Sequence, residues 1–135
     1  MTQTPLPPDQ GISDVKLHLS SMNNYFLVST IGNAVGVVVG LAAVFVLGAT
    51  TCGFGCLFIF LPLINVGAMV LDILAIQRLQ QPPSPQNYDF LKTAAIVDIV
   101  AFFALIPMIT GILNLTTLGR KEVYDYFHTP SPARG

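Results

Sequence analysis

From Leu19 to Leu71 the chain contains no Asp, Glu, Lys, Arg or His. A water-facing surface cannot be built from such a run, because charged residues make up about a quarter of an average soluble domain. Over all 135 residues only 10% are charged and 53% are hydrophobic, with a mean hydropathy of +0.67. All six Lys and Arg residues stand outside the apolar stretches: Lys16 precedes them, Arg78 and Lys92 separate them, and Arg120, Lys121 and Arg134 follow them. The pattern predicts an all-α integral membrane protein, a helical bundle in the lipid bilayer.

A spanning helix needs about 20 mostly apolar residues, so three or four helices consume most of the chain. Nothing between them is long enough for a second domain. The net charge of −1 argues against a nucleic-acid partner, which would require a basic face. The first 24 residues are polar, contain three prolines and lack a basic n-region. A secretory signal peptide would look different, and the first span is expected to be kept.

Residues 1–24 are expected as a disordered or interfacial tail, with Asn23 and Asn24 suited to an N-cap. Residues 25–127 are expected as the transmembrane bundle, with helices near 25–49, 54–77, 90–105 and 108–123, and 128–135 as a disordered tail. The Pro-rich stretch QQPPSPQNYD, residues 80–89, reads as a connection. Residues 93–118 are the ambiguous piece. A single helix there would be about 39 Å long against a hydrocarbon core of about 30 Å. It forms either one span kinked at Pro107, giving three spans, or a short hairpin broken near Pro107, giving four helices. With the hairpin, every basic residue falls on one face, and positive-inside bias makes that face, with both termini, cytoplasmic. The four-helix arrangement of two hairpins is therefore preferred. The second hairpin would be short enough that it need not cross the membrane fully.

The stretch from Lys92 to Phe127 also resembles the C-terminal half of a loose group of small bacterial membrane proteins of unknown function. The shared pattern is a basic residue, an aliphatic run, a Pro/Gly break, a second aliphatic run and an acidic-basic cluster ending in aromatics. Here it reads Lys92, TAAIVDIVAFFAL, IPMITG, ILNLTTL and RKEVYDYF. The resemblance implies a four-helix protein of the bacterial inner membrane with no assigned activity, site or cofactor. Asp98 departs from it, since that run is otherwise apolar.

Gly32, Gly36 and Gly40 recur every four residues and so share one helix face. Small residues permit close helix packing in lipid. The face serves either packing within the monomer, against Gly67, Ala68 or Gly111, or a seam with a second copy or another membrane protein. Asp72 and Asp98 are the only charged residues well inside the apolar runs. With Asn33 and Asn114 they are expected to form one polar layer, the two carboxyls about 9 Å in from the basic face. An intramembrane carboxyl is a functional-site hypothesis. The alternative is helix glue, with hydrogen bonds to Asn33, Asn114 or Thr93. Cys52 and Cys56 flank Gly-Phe-Gly. They read as small packing residues, or as a loop disulfide if the turn faces an oxidising compartment, and without nearby His they complete no zinc site. No nucleophile–base pair, phosphate loop or HExxH is present, so no enzyme activity and no cofactor is expected. Two functions remain: a structural or interaction subunit packing through the glycine face, or a small proton or cation carrier using Asp72 and Asp98.

Overall fold

The computed structural model describes residues 8–51, 59–100 and 105–129, with side chains from Ile12 onward. The described residues form helices α1 (Pro8–Thr50), α2 (Phe60–Leu79), α3 (Pro85–Val100), α4 (Leu105–Leu118) and α5 (Lys121–His128), with no strand among them. Two of these, α1 and α2, are long and apolar enough to cross a membrane, and α4 is apolar but shorter.

Helices α1 and α2 pack antiparallel, with Gly40 against Pro62, Gly36 against Asn65 and Asn33 against Asp72. Helix α4 lies on the other side of α1, where Gly32 meets Ile106 and Pro107. Helices α3 and α4 pack on each other through Gly111, whose added Cβ would come within 2.7 Å of the Ala95 carbonyl oxygen. The ring closes where α2 meets α3, and α5 lies across α1, α3 and α4.

Helix α1 corrects the expected start near Tyr25. It runs unbroken through Asn23 and Asn24, and residues 8–24 of the expected 1–24 tail belong to it. The reason is a stripe at alternating spacings of four and three residues: Val15, Leu19, Met22, Phe26, Ser29, Asn33, Gly36 and Gly40. These positions stay on one side of a helix. Its first half therefore has a face to bury, and Val15, Met22 and Phe26 are buried.

Helix α3 starts five residues earlier than expected, at Pro85. Ser84 caps it, its Oγ accepting from the Asn87 amide at 3.2 Å, and Pro85 occupies a first-turn position where its missing N–H is no loss. Pro107, where the break of the second hairpin was expected, lies inside α4, and the connection between α3 and α4 falls at 101–104, outside the described residues. Pro107 sits in the first turn of α4, where a proline removes no intrahelical bond. Helix α4 ends at Leu118, and its C-terminus is closed by Gly119 N–H to the Leu115 carbonyl at 2.9 Å. The helix expected at 108–123 is thus two elements, α4 and α5, hinged at extended Arg120. Pro62 likewise falls in the first turn of α2. The expected turn cysteines Cys52 and Cys56, the first residues of the expected 54–77 helix and the tail beyond Thr129 lie outside the described residues.

At one end the helices enclose an apolar core of Met22, Phe26, Ala75, Leu91, Ala94, Leu118, Val123 and Phe127. The described Lys and Arg residues all belong to this end, on the first half of α1, the C-terminus of α2, the first half of α3 and the start of α5. Toward the other end the interior turns polar and small. Asn33, Asn65, Asp72, Asp98 and Thr110 are buried, while Val35, Val38, Val39, Phe45 and Leu63 face outward.

Candidate functional site

The polar interior is centred on four side chains from three helices. Ser29 and Asn33 of α1, Asp72 of α2 and Asp98 of α3 are each wholly inaccessible, at 0% exposure. The i, i+4 spacing puts Ser29 and Asn33 on one face of α1. The Ser29 hydroxyl donates to Asp98 Oδ2 at 2.8 Å. The Asn33 amide nitrogen donates to Asp72 Oδ2 at 3.0 Å, and lies 3.5 Å from Asp98 Oδ1 and 3.4 Å from Ser29 Oγ. One amide group thus reaches both carboxyls.

Two oxygens of the cluster have no hydrogen-bond partner, Asn33 Oδ1 and Asp72 Oδ1. Among the described residues no Lys or Arg hydrogen-bonds either carboxyl, and Arg78 is engaged at the end of α2 with Asn87 Oδ1 at 3.1 Å and over the Phe90 ring. The donor set is entirely oxygen, which suits a proton or a hard cation and not a soft metal. No group of three or more His, Cys, Asp or Glu with metal-holding geometry occurs among the described residues.

Of the expected layer, Asn33, Asp72 and Asp98 are brought together. Asn114 is not joined to them. It is fully buried, but both its side-chain nitrogen and its oxygen lack partners. The register of α4 is the reason: Gly111, not Asn114, sits opposite Asp98, which puts Asn114 about 4.5 Å nearer the basic end. Thr93 is exposed and bonds its own helix at the Asp89 carbonyl, so it takes no part. Ser29 was missed by sequence reasoning. Its signal was the four-residue step to Asn33 on an otherwise apolar helix.

The glycine row is occupied inside the chain. Gly32 abuts α4, and Gly36 and Gly40 abut α2, whereas Gly48 and Gly67 have open space around them. Gly67 is therefore not the partner of that row; Asn65 and Pro62 are. Beyond the carboxyl cluster, a cleft of about 190 Å³ is lined by Gly36, Val39, Gly40, Ala43, Leu61 and Asn65.

No protein-family model matches the chain, and neither a curated protein nor a solved structure matches it. The likeness to small bacterial membrane proteins therefore has no support beyond composition, and only the chemistry of the buried cluster bears on function.

Proposed function

We propose that this chain is a small multi-pass membrane protein whose interior carboxyl pair binds a proton or a monovalent alkali cation in the course of moving it. The membrane part of the reading is supported by the inversion of the usual burial rule. In water, aliphatic side chains go inside and carboxylates outside. Here the Asp72 and Asp98 side chains are enclosed, while Phe45 is 78% and Val38 68% exposed. A contiguous aliphatic wall of this kind is stable when lipid covers it.

The carrier part rests on one observation: two enclosed carboxyls, bridged by one amide, with no Lys or Arg hydrogen-bonded to them among the described residues. An unpaired buried charge is expensive, so a bound positive charge must accompany at least one of them. A proton or a small cation supplies it, and a site loaded by an exchangeable ion is the elementary requirement of a carrier. The alternative, a structural or interaction subunit docking through Gly32, Gly36 and Gly40, has no free glycine surface to use and is placed second.

In this reading α1 and α2 cross the bilayer and the α3–α4 hairpin enters it from the basic end. Both termini then lie on one side, which positive-inside bias makes the cytoplasm. The deciding experiment is ion flux in liposomes. Wild-type protein should dissipate an imposed proton or sodium gradient, and Asp72→Asn with Asp98→Asn should stop it while leaving the thermal unfolding transition in place. Undiminished flux in the folded double variant would reduce the pair to helix glue.

A further inference from the structure

In an enclosed site an unmet polar atom keeps its full desolvation cost, so each donor and acceptor of the Asp72–Asp98 cluster needs a partner. The surroundings of the Asn33 amide fix its orientation. Its nitrogen faces three oxygens: Asp72 Oδ2 at 3.0 Å, Ser29 Oγ at 3.4 Å and Asp98 Oδ1 at 3.5 Å. Turned the other way, the amide would set its carbonyl oxygen against all three. With two hydrogens to give, that nitrogen serves both carboxyls.

The donors then distinguish the two acids. Asp98 meets one at each oxygen: the Ser29 hydroxyl at Oδ2, 2.8 Å away, and the Asn33 nitrogen at Oδ1. Asp72 meets one at Oδ2, while its Oδ1 has no partner. The other orphaned atom of the cluster is Asn33 Oδ1, on the same amide that holds Asp72. Both side chains are wholly enclosed, and as an ionised acid and an amide both orphans can only accept. One hydrogen on Asp72 Oδ1 satisfies the two together. Asp72 Oδ1–H then donates to Asn33 Oδ1 while Asn33 Nδ2–H donates to Asp72 Oδ2. A carboxylic acid and a primary amide each present a donor beside an acceptor, so their shapes allow this paired bond. An alkali cation fits less well, because the amide hydrogens, with their partial positive charge, already stand between the carboxyls.

No other described titratable group competes for the role. Residues 26–50 of α1 and the whole of α4 contain none. Lys92 of α3 is exposed, and Arg78 of α2 is held by Asn87. We propose that the pair carries one exchangeable proton, seated on Asp72 Oδ1 and shared with Asn33 Oδ1, while Asp98 is the ionised partner held by Ser29 and Asn33. The proposal rests on the carrier reading and narrows its cargo to a proton. Asp72 is the loading group, and Asn33 is a positioning residue. Release of the proton leaves both orphaned oxygens unmet again.

Amide substitutions separate the two acids, because Asn replaces one carboxyl oxygen by a donor. Asp72→Asn can donate to Asn33 Oδ1 and accept from Asn33 Nδ2, so it copies the loaded state. Asp98→Asn sets a donor against either the Ser29 hydroxyl or the Asn33 amide. In detergent at neutral pH, the unfolding midpoint of Asp72→Asn should equal or exceed that of wild type, and that of Asp98→Asn should fall by several degrees. The infrared carbonyl band of a protonated carboxylic acid should be present in wild type, lost in Asp72→Asn and kept in Asp98→Asn. Asn33→Leu should shift that band to the frequency of an acid without a hydrogen-bonded partner; an unshifted band would overturn the role of Asn33. A band kept in Asp72→Asn and lost in Asp98→Asn would overturn the assignment. So would a wild-type protein with no such band whose midpoint rises when sodium replaces N-methylglucamine, since a ligand that binds the folded state stabilises it. The band on Asp72 without proton flux in liposomes would support the seat and remove the carrier reading, whereas proton flux with the band on Asp98 would keep the carrier and overturn the seat.

Discussion

At the basic end, Phe26, Met22, Leu91 and Leu118 are enclosed by one another and by Val123 and Phe127 of α5, much as in a water-soluble domain. Past Ser29 the same helix α1 reverses its preference: Val35, Val38, Val39 and Phe45 point outward, and glycines pack against Pro107, Asn65 and Pro62. On the proposed membrane reading, one continuous helix thus serves two solvents. At about 1.5 Å per residue, the 43 residues of α1 extend for roughly twice the hydrocarbon thickness, so its N-terminal half must stand outside the apolar layer. In that half, stability comes from removing aliphatic area from water. In the other half, on the same reading, lipid would solvate the aliphatic groups, and close backbone approach with interior hydrogen bonds would do the holding.

The strongest way to break the comparison is to truncate the same residue type in both halves. Phe26→Ala empties a fully enclosed position and should destabilise by about 3–5 kcal/mol. Phe45→Ala removes a side chain that touches mostly surroundings, and should change stability by about 0.5 kcal/mol or less. Chemical unfolding in mild detergent measures both. Similar losses at the two sites would mean that Phe45 is covered by protein, as in a dimer, and that the outward aliphatic wall is an interface.

The two halves were also unequally legible in the sequence. The uncharged run from Leu19 to Leu71 announces an apolar environment but hides where α1 begins, because hydropathy changes at Tyr25 while the helix does not. The stripe from Val15 to Gly40 carried that information, since a helix started at Tyr25 would leave Val15, Leu19 and Met22 without a common face. Asp72, Asp98 and Asn33 stood out as polar groups where lipid penalises them, and they do meet. Pro107 was the visible candidate for a break in the second hairpin, yet it lies inside α4, because a proline near the start of a helix removes no intrahelical bond. Asn114 was misplaced because depth counted from Arg120 does not fix the register of α4; the close Gly111–Ala95 contact does.

A smaller effect sharpens the packing side of the comparison. Gly111→Ala would drive a methyl group to 2.7 Å from the Ala95 carbonyl oxygen and 2.9 Å from Asp98 Cβ. Backbone cannot yield as a side-chain tip can, so the loss should be about 1–3 kcal/mol. Gly48→Ala meets nothing within 4 Å, and should stabilise by up to about 1 kcal/mol through helix propensity. The opposite signs, read from unfolding midpoints in the same detergent, separate a glycine needed for approach from one that is merely accommodated. Equal effects would remove close backbone approach as the principle of the half with the outward aliphatic wall.

The smallest expected effect lies at the seam between α5 and the rest of the basic end, where Tyr88 holds α3, α4 and α5 together. Its hydroxyl donates to the Leu118 carbonyl at 3.1 Å, and its ring packs edge-on against Tyr124 at 5.4 Å and His128 at 5.0 Å. Burial first, then the neighbouring Tyr124 and Asp89, raises the pKa of this phenol above its ordinary 10.0. A group raised in the folded state contributes its full stabilisation below its unfolded pKa and loses it as pH climbs through the folded value. The contribution of Tyr88 should therefore be constant through neutrality and fall only above pH 10. Tyr88→Phe keeps the ring and removes the donor, so it should cost about 0.5–1.5 kcal/mol at neutral pH and flatten the alkaline decline. Unfolding midpoints of the two proteins, followed from neutral pH to beyond that range, should converge as the phenol ionises. A gap that stays constant to the alkaline limit would mean that the hydroxyl is not what ties α5 to the bundle, leaving the stacked rings as the seam.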